Sequence, residues 1–261
     1  MRMIKIGAAT AALTLIASSA FAATVSIESV TGSWTAVSQN NAHGVTISNS
    51  DSFSLVTGGY APTNGSQSSY SFERTIPPAV IAAPGEEFAL GKFTHHNWPI
   101  YTVPSDGADT AIDWAELKVD FQVKIDDVLY DFTRNYRFDH SETPNAGGAN
   151  GACAFGGNDG DAGVNENGCA DRVVASLNEA GSETLVVDGL SYTFDISGFE
   201  VDGETLDFFL TKENAINEAI LVGTYDVSEI SPVPLPAAGW MLIAGLGGLA
   251  AMKRRKARAE A

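Results

Sequence analysis

The sequence predicts an all-β domain, an antiparallel β-sandwich of jelly-roll or immunoglobulin-like kind, followed by a single C-terminal transmembrane helix. Three features carry this expectation. Apolar residues between Thr24 and Ile230 recur with a period of two, no long segment there has a 3.6-residue period, and Asp-Asp and Asp-Gly pairs punctuate the pattern. Alternation of this kind marks strands with one buried and one wetted face.

The early strands are short: TVSIESV, GSWTAV, GVTIS, SFSLV and SYSFERT. The central one is the clearest. In LKVDFQVKI, Leu117, Val119, Phe121, Val123 and Ile125 share a face, with Lys118, Asp120, Gln122 and Lys124 opposite. Asp126-Asp127 then turns the chain into VLYDFTRNYRF, so the two form a hairpin. ETLVVDG, LSYTFDISGF, ETLDFFLTKE and EAILVGTYDV follow, separated by the turn signals Asp188-Gly189 and Asp202-Gly203. About ten strands are expected from these runs. Gly58 to Ser69 and Pro144 to Gly168 read as loops.

The two ends have a different character. Residues 1–22 read as a secretory signal peptide: Arg2 and Lys5, an apolar stretch from Ile6 to Ile16, then Ala20-Phe21-Ala22 as a small-x-small cleavage site. Residues 23–230 are the β-domain. Residues 231–261 combine a linker, a 16-residue apolar run from Ala237 to Met252, and the basic residues Lys253, Arg254, Arg255, Lys256 and Arg258. A bilayer core asks for about 20 helical residues, so this run spans only marginally, with the basic cluster held on the cytoplasmic side. Its glycines permit close packing on another helix.

Between the ends stand 8 basic and 31 acidic residues, a net charge of −23. Such a polyanion repels nucleic acid and anionic lipid, and leaves cations or neutral and basic surfaces as partners. Cys153 and Cys169 bracket a loop with almost nothing apolar, and an even pair in an exported chain reads as a disulfide. Closing a loop of about 15 residues contributes about 3 kcal/mol in the chain-entropy model.

Four segments occur in order: FALGKFTHHNWPI, FDHSETPN, CADRV and LSYTFDISGF. Together they resemble the choice-of-anchor K domain, a bacterial extracellular module joined to varied surface-anchoring tails, and the similarity runs from about Gly32 to Val227. The tail resembles a VPLPA-type, PEP-CTERM-like sorting signal, with Val233, Pro234, Leu235, Pro236 and Ala237 as its motif. The resemblance implies export from a Gram-negative cell, transient residence in the inner membrane and handling by an exosortase-like sorting protease. It implies cell-surface or extracellular release and possible contact with matrix polysaccharide, and it carries no assigned activity.

No catalytic set stands out. His95 and His96 are adjacent in an extended segment and so face opposite ways, which argues for structural roles, with Asn97 capping the turn before Pro99 and Trp98 packing. His43 and His140 are isolated in the sequence. His140 lies two residues before Glu142, beside Asp139, yet no nucleophile elbow accompanies them. The loop residues Asp159, Asp161 and Asn165 are weak calcium candidates, because oxygen ligands suit that ion although the EF-hand spacing fails. The expected function is a non-enzymatic envelope or matrix protein without cofactor. The alternatives are a carbohydrate-binding surface module using Trp34, Trp98 and Trp114, or a secreted hydrolase.

Overall fold

A computed structural model describes residues 23–38, 44–50, 53–59, 61, 65–74, 79–81, 83–100, 110–144, 149–178 and 183–230. The segments read from the sequence as a signal peptide, 1–22, and a sorting tail, 231–261, lie outside the described residues. Among the described residues no helix is long and apolar enough to cross a membrane.

The fold is all-β and antiparallel. In chain order the strands are β1 (Val25–Val37), β2 (Thr46–Asn49), β3 (Phe53–Gly58), β4 (Ser68–Arg74), β5 (Ala79–Ile81), β6 (Phe88–Asn97) and β7 (Trp114–Ile125). Then come β8 (Val128–Ser141), β9 (Asp171–Asn178), β10 (Leu185–Val187), β11 (Leu190–Val201), β12 (Glu204–Leu206), β13 (Phe209–Thr211) and β14 (Ala215–Glu229).

Two compact units divide the chain, one holding everything up to Glu183 together with Phe194–Asp226, the other Thr184–Thr193 together with the residues from Val227 on. In the smaller unit β10 pairs with the first residues of β11 across the Asp188-Gly189 turn, and the Ile230 amide donates to Gly189 O at 2.9 Å. In the larger unit one sheet has the order β13-β9-β8-β7-β1-β5. The other runs β11-β14-β6-β4-β3-β2, with β12 beside β11.

The described strands number fourteen rather than about ten, for identifiable reasons. TVSIESV and GSWTAV are one strand, β1, kept continuous by register shifts at Ile27/Ser29 and Trp34/Ala36 that absorb the breaks in alternation. ETLDFFLTKE is not one strand. It divides into β12 and β13, which belong to different sheets, so the chain changes sheet at Asp207-Phe208. The strand β9, which begins inside CADRV, and the short β5 carry too little alternation to announce themselves. The central hairpin forms as its pattern predicts, from Trp114↔Asp139 to Ile125↔Val128. Its turn needs two left-handed residues, and Asp126 and Asp127 adopt φ of 47° and 66°.

The apolar faces of the two sheets meet in an aromatic core. Phe93 of β6 stacks on Phe138 of β8 at 5.1 Å, Phe132 of β8 meets Phe194 of β11 at 4.7 Å, and Trp34 of β1 lies 5.9 Å from Tyr70 of β4. Phe72 sits fully buried between two glycines from opposite sheets, Gly32 of β1 and Gly91 of β6, each of which leaves room for the ring only because it lacks a Cβ. A methyl at Gly91 would also lie 2.7 Å from the backbone oxygen of Glu73. Gly91→Ala is therefore expected to cost about 1–3 kcal/mol of stability through overpacking, measurable as a lowered urea midpoint with unchanged slope. A midpoint equal to the parent's would show that the sheets have slack there.

Candidate functional site

At one end of the larger unit the inward-facing row of four strands changes from apolar to polar. Along β6 it reads Phe93, His95, Asn97. Along β8 and just beyond it reads Phe138, His140, Glu142. On β9 Asp171 stands two residues before Val173, and on β13 and beyond Phe209 leads to Thr211 and Glu213. Period-two geometry puts the members of each row on the same face, so these side chains extend the core as a polar layer. His95, Asn97, Asp171 and Glu213 are each at most 2% exposed.

The layer joins the sheets through side-chain hydrogen bonds. Asn97 Nδ2 donates across the gap to Asp171 Oδ2 at 2.8 Å and to Glu213 Oε1 at 3.3 Å. His95 Nδ1 and Thr211 Oγ1 lie 2.9 Å apart. Tyr70 of β4 bonds to His140 Nδ1, and the other ring nitrogen of His140 is 3.0 Å from Glu142 Oε2 and 3.7 Å from Asp171 Oδ2. Burial, reinforced by Asp171, Glu142 and Asp139, holds the Tyr70 phenol well above its usual range. In the tautomer where the phenol donates to Nδ1, the ring proton sits on Nε2 and donates to Glu142. Asp171 Oδ1 accepts the Thr143 amide at 2.7 Å and the Thr143 hydroxyl at 3.2 Å.

Burial dominates the ionisation of this layer. It pushes Asp171 up to about 7, with Glu142 adding to the shift and His140 opposing it. Burial, then Asp171 and Glu142, push Glu213 up to about 9. His95 is depressed well below its usual value by burial, then by His140 and His96, and is neutral. Among the described residues, two groups bring potential metal-ligand atoms within 4.8 Å of one another: His95, His140 and Asp171, and Glu142, Asp171 and Glu213.

The residues singled out in the sequence fare differently. His95 and His96 do face opposite ways: His96 is half-buried beside Trp98 and burial lowers its basicity. Asn97 is not a turn cap. Its amide is committed to the buried layer, and the turn is held by Ser68 Oγ, which accepts the Trp98 amide at 3.1 Å and donates to Trp98 O at 2.7 Å. His140 is isolated only in sequence. Asp139 points away and pairs with Arg137 at 2.7 Å. Pro99 lies beside Trp98 on a surface cavity of about 290 Å³. Trp34 is 1% exposed, a core residue rather than a sugar platform, and Trp114 lies beneath the Arg137 guanidinium at 4.6 Å.

Cys153 and Cys169 are bonded, with Cα atoms 5.2 Å apart. Inside the loop, Asp161 Oδ2 accepts the Asn158 amide at 2.7 Å. Asn165 bridges Gly156 O and the Ala170 amide, both at 2.9 Å, while Asp159 is exposed. Asp161 and Asn165 thus brace the loop, and neither Asp159 nor Asp161 belongs to a potential ligand group among the described residues. The loop abuts the polar layer: Thr143 Oγ1 donates to Cys169 O at 2.7 Å and Asn167 Nδ2 to Glu213 O at 3.0 Å.

The sequence pattern alone does not mark Asp171, Glu213, Tyr70, Thr143 and Thr211 as site residues. The available signal was an acid at an inward position of a period-two row, as in Val173/Asp171 and Phe209/Thr211/Glu213. No family model matches the chain, and no curated protein matches it.

Asn97→Ala strips two buried carboxylates of a shared donor, so a loss of about 2–3 kcal/mol is expected. Chemical denaturation of the purified variant checks it. A loss below about 0.5 kcal/mol would mean that the amide is dispensable.

Proposed function

We propose that the chain is a non-enzymatic, exported envelope or extracellular-matrix protein whose β-domain, a sandwich of jelly-roll or immunoglobulin-like kind, is displayed after sorting through its C-terminal signal. One observation carries the non-enzymatic part. The groups with the chemistry for acid–base work lie in the polar layer, where only Glu142 among them opens toward solvent, and the cavity beside Tyr70, His95, His140 and Glu142 amounts to about 10 Å³, room for one water and not for a substrate. A hydrolase needs its titratable groups in a cleft. Burial of Trp34 removes one of the three indoles on which a sugar-binding face would rest.

Export is supported by the arrangement of the ends and by a disulfide, which persists in oxidising compartments. In this reading the chain is held in the inner membrane by its marginal apolar run. It is then cut near Val233 to Ala237 by an exosortase-like protease and released toward the cell surface or matrix. Pro234 and Pro236 keep the motif extended and outside any helix or sheet ladder, open to a protease. The basic cluster fixes its orientation.

A peptide tag placed after Ala261 tests this. In cells with intact sorting machinery the mature, surface-exposed protein is expected to lack the tag. Tag retained on the full-length mature chain would identify a permanent anchor instead.

A further inference from the structure

Glu142, Asp171 and Glu213 come from three separate stretches of chain, yet each offers a carboxylate oxygen within 4.8 Å of the others. Two of the three are buried, Asp171 completely, while Glu142 keeps 26% of its side chain exposed. No lysine or arginine among the described residues pairs with any of them. The nearby basic residue Lys212 is engaged by Glu166, and among the described residues His140 is the basic side chain that pairs with Glu142 and approaches Asp171. Buried carboxylates without a cationic partner are costly, and each raises the proton affinity of the next. A second observation points to a missing neutralising species: Glu213 Oε2 is buried, no donor among the described residues reaches it, and its approach to Asp171 requires a proton or a cation between the two carboxyls.

We propose that Glu142, Asp171 and Glu213 form a calcium site that ties the β8, β9 and β13 strand ends together. Calcium–oxygen distances are about 2.3–2.6 Å, so oxygens up to about 4.8 Å apart share one ion. The Glu142, Asp171 and Glu213 set is all oxygen, whereas the overlapping His95, His140 and Asp171 set mixes nitrogen with oxygen. Hard oxygen donors select calcium over zinc or copper. Each carboxylate offers one oxygen to the ion: Asp171 Oδ1 stays with Thr143, Asp171 Oδ2 and Glu213 Oε1 already accept the Asn97 amide, and Glu213 Oε2 has no donor among the described residues. The cavity of about 10 Å³ on the Glu142 side has room for one water. The partly exposed Glu142 gives the entry path. The choice of calcium among hard divalent ions rests on the exported reading above; the carboxylate cage does not.

The test uses the purified full-length chain, stripped with chelator and titrated with calcium chloride by calorimetry at neutral pH. One saturable site is expected, with Kd at or below about 1 mM, the range of extracellular modules. Glu142→Gln, the change least able to disturb folding because its side chain reaches solvent, and Glu213→Gln are each expected to weaken binding at least tenfold. Asp161→Asn in the disulfide loop is expected to leave it unchanged. No binding up to about 10 mM, with the chain folded by circular dichroism, would overturn the proposal and leave a proton as the neutralising species. Binding lost in Asp161→Asn but kept in both glutamine variants would overturn it in favour of the loop. Manganese binding at the cage without calcium binding would overturn the calcium assignment and, independently of the tag experiment, leave the sorting reading untouched.

Discussion

Asp171 has no solvent exposure, faces two other carboxylates and yet is ionisable, and the organisation of its end of the domain follows from that constraint. A buried carboxylate is tolerated only where its lone pairs are satisfied. Oδ1 is met by the amide and hydroxyl of Thr143, and Oδ2 by Asn97 from the opposite sheet. Each requirement recruits a different strand end, so the charge fixes the relative register of β6, β9 and the loop after β8 more tightly than apolar packing does. Apolar contacts are non-directional; these hydrogen bonds have one geometry.

The disulfide belongs to the same arrangement. Cys169 lies two residues before Asp171, and its carbonyl accepts the hydroxyl of Thr143, which in turn holds Asp171. The loop between the cysteines has little apolar surface of its own and is organised by Asn165, Asp161 and the bond. Reduction would free the approach to β9 rather than open the aromatic core. A second buried polar group, Arg134 of β8, reaches across to β11 through Phe194 O at 2.9 Å and also donates to Glu183 O. The two sheets are thus pinned by polar bridges away from the aromatic centre, which specifies one alignment among the many that apolar faces alone allow.

Most of the architecture was legible in the sequence because alternation is a local property. The hairpin from Trp114 to Ser141 and its Asp126-Asp127 turn needed nothing beyond neighbouring residues. Elements that depend on distant partners were not legible. β13 exists because Phe209 and Thr211 pair with Val173 and Asp171, and the sheet change at Asp207-Phe208 has no local mark. The site was half visible. His95, Asn97, His140 and Glu142 drew notice, but as unconnected residues, since joining them requires the fold. Asp171 and Glu213 looked like two among many surface acids in a polyanion, and only the parity of their rows sets them apart. Asn97 was misplaced because an asparagine near a proline is a common turn cap, and here the strand carries it into the core first.

The claim that this polar layer holds the sheets together is tested most directly by a double-mutant cycle between Asn97→Ala and Asp171→Asn, read by urea denaturation with the disulfide intact. The account predicts a coupling energy of about 1–3 kcal/mol, because either change alone breaks the same cross-sheet bond. Effects that add to within about 0.5 kcal/mol would contradict it.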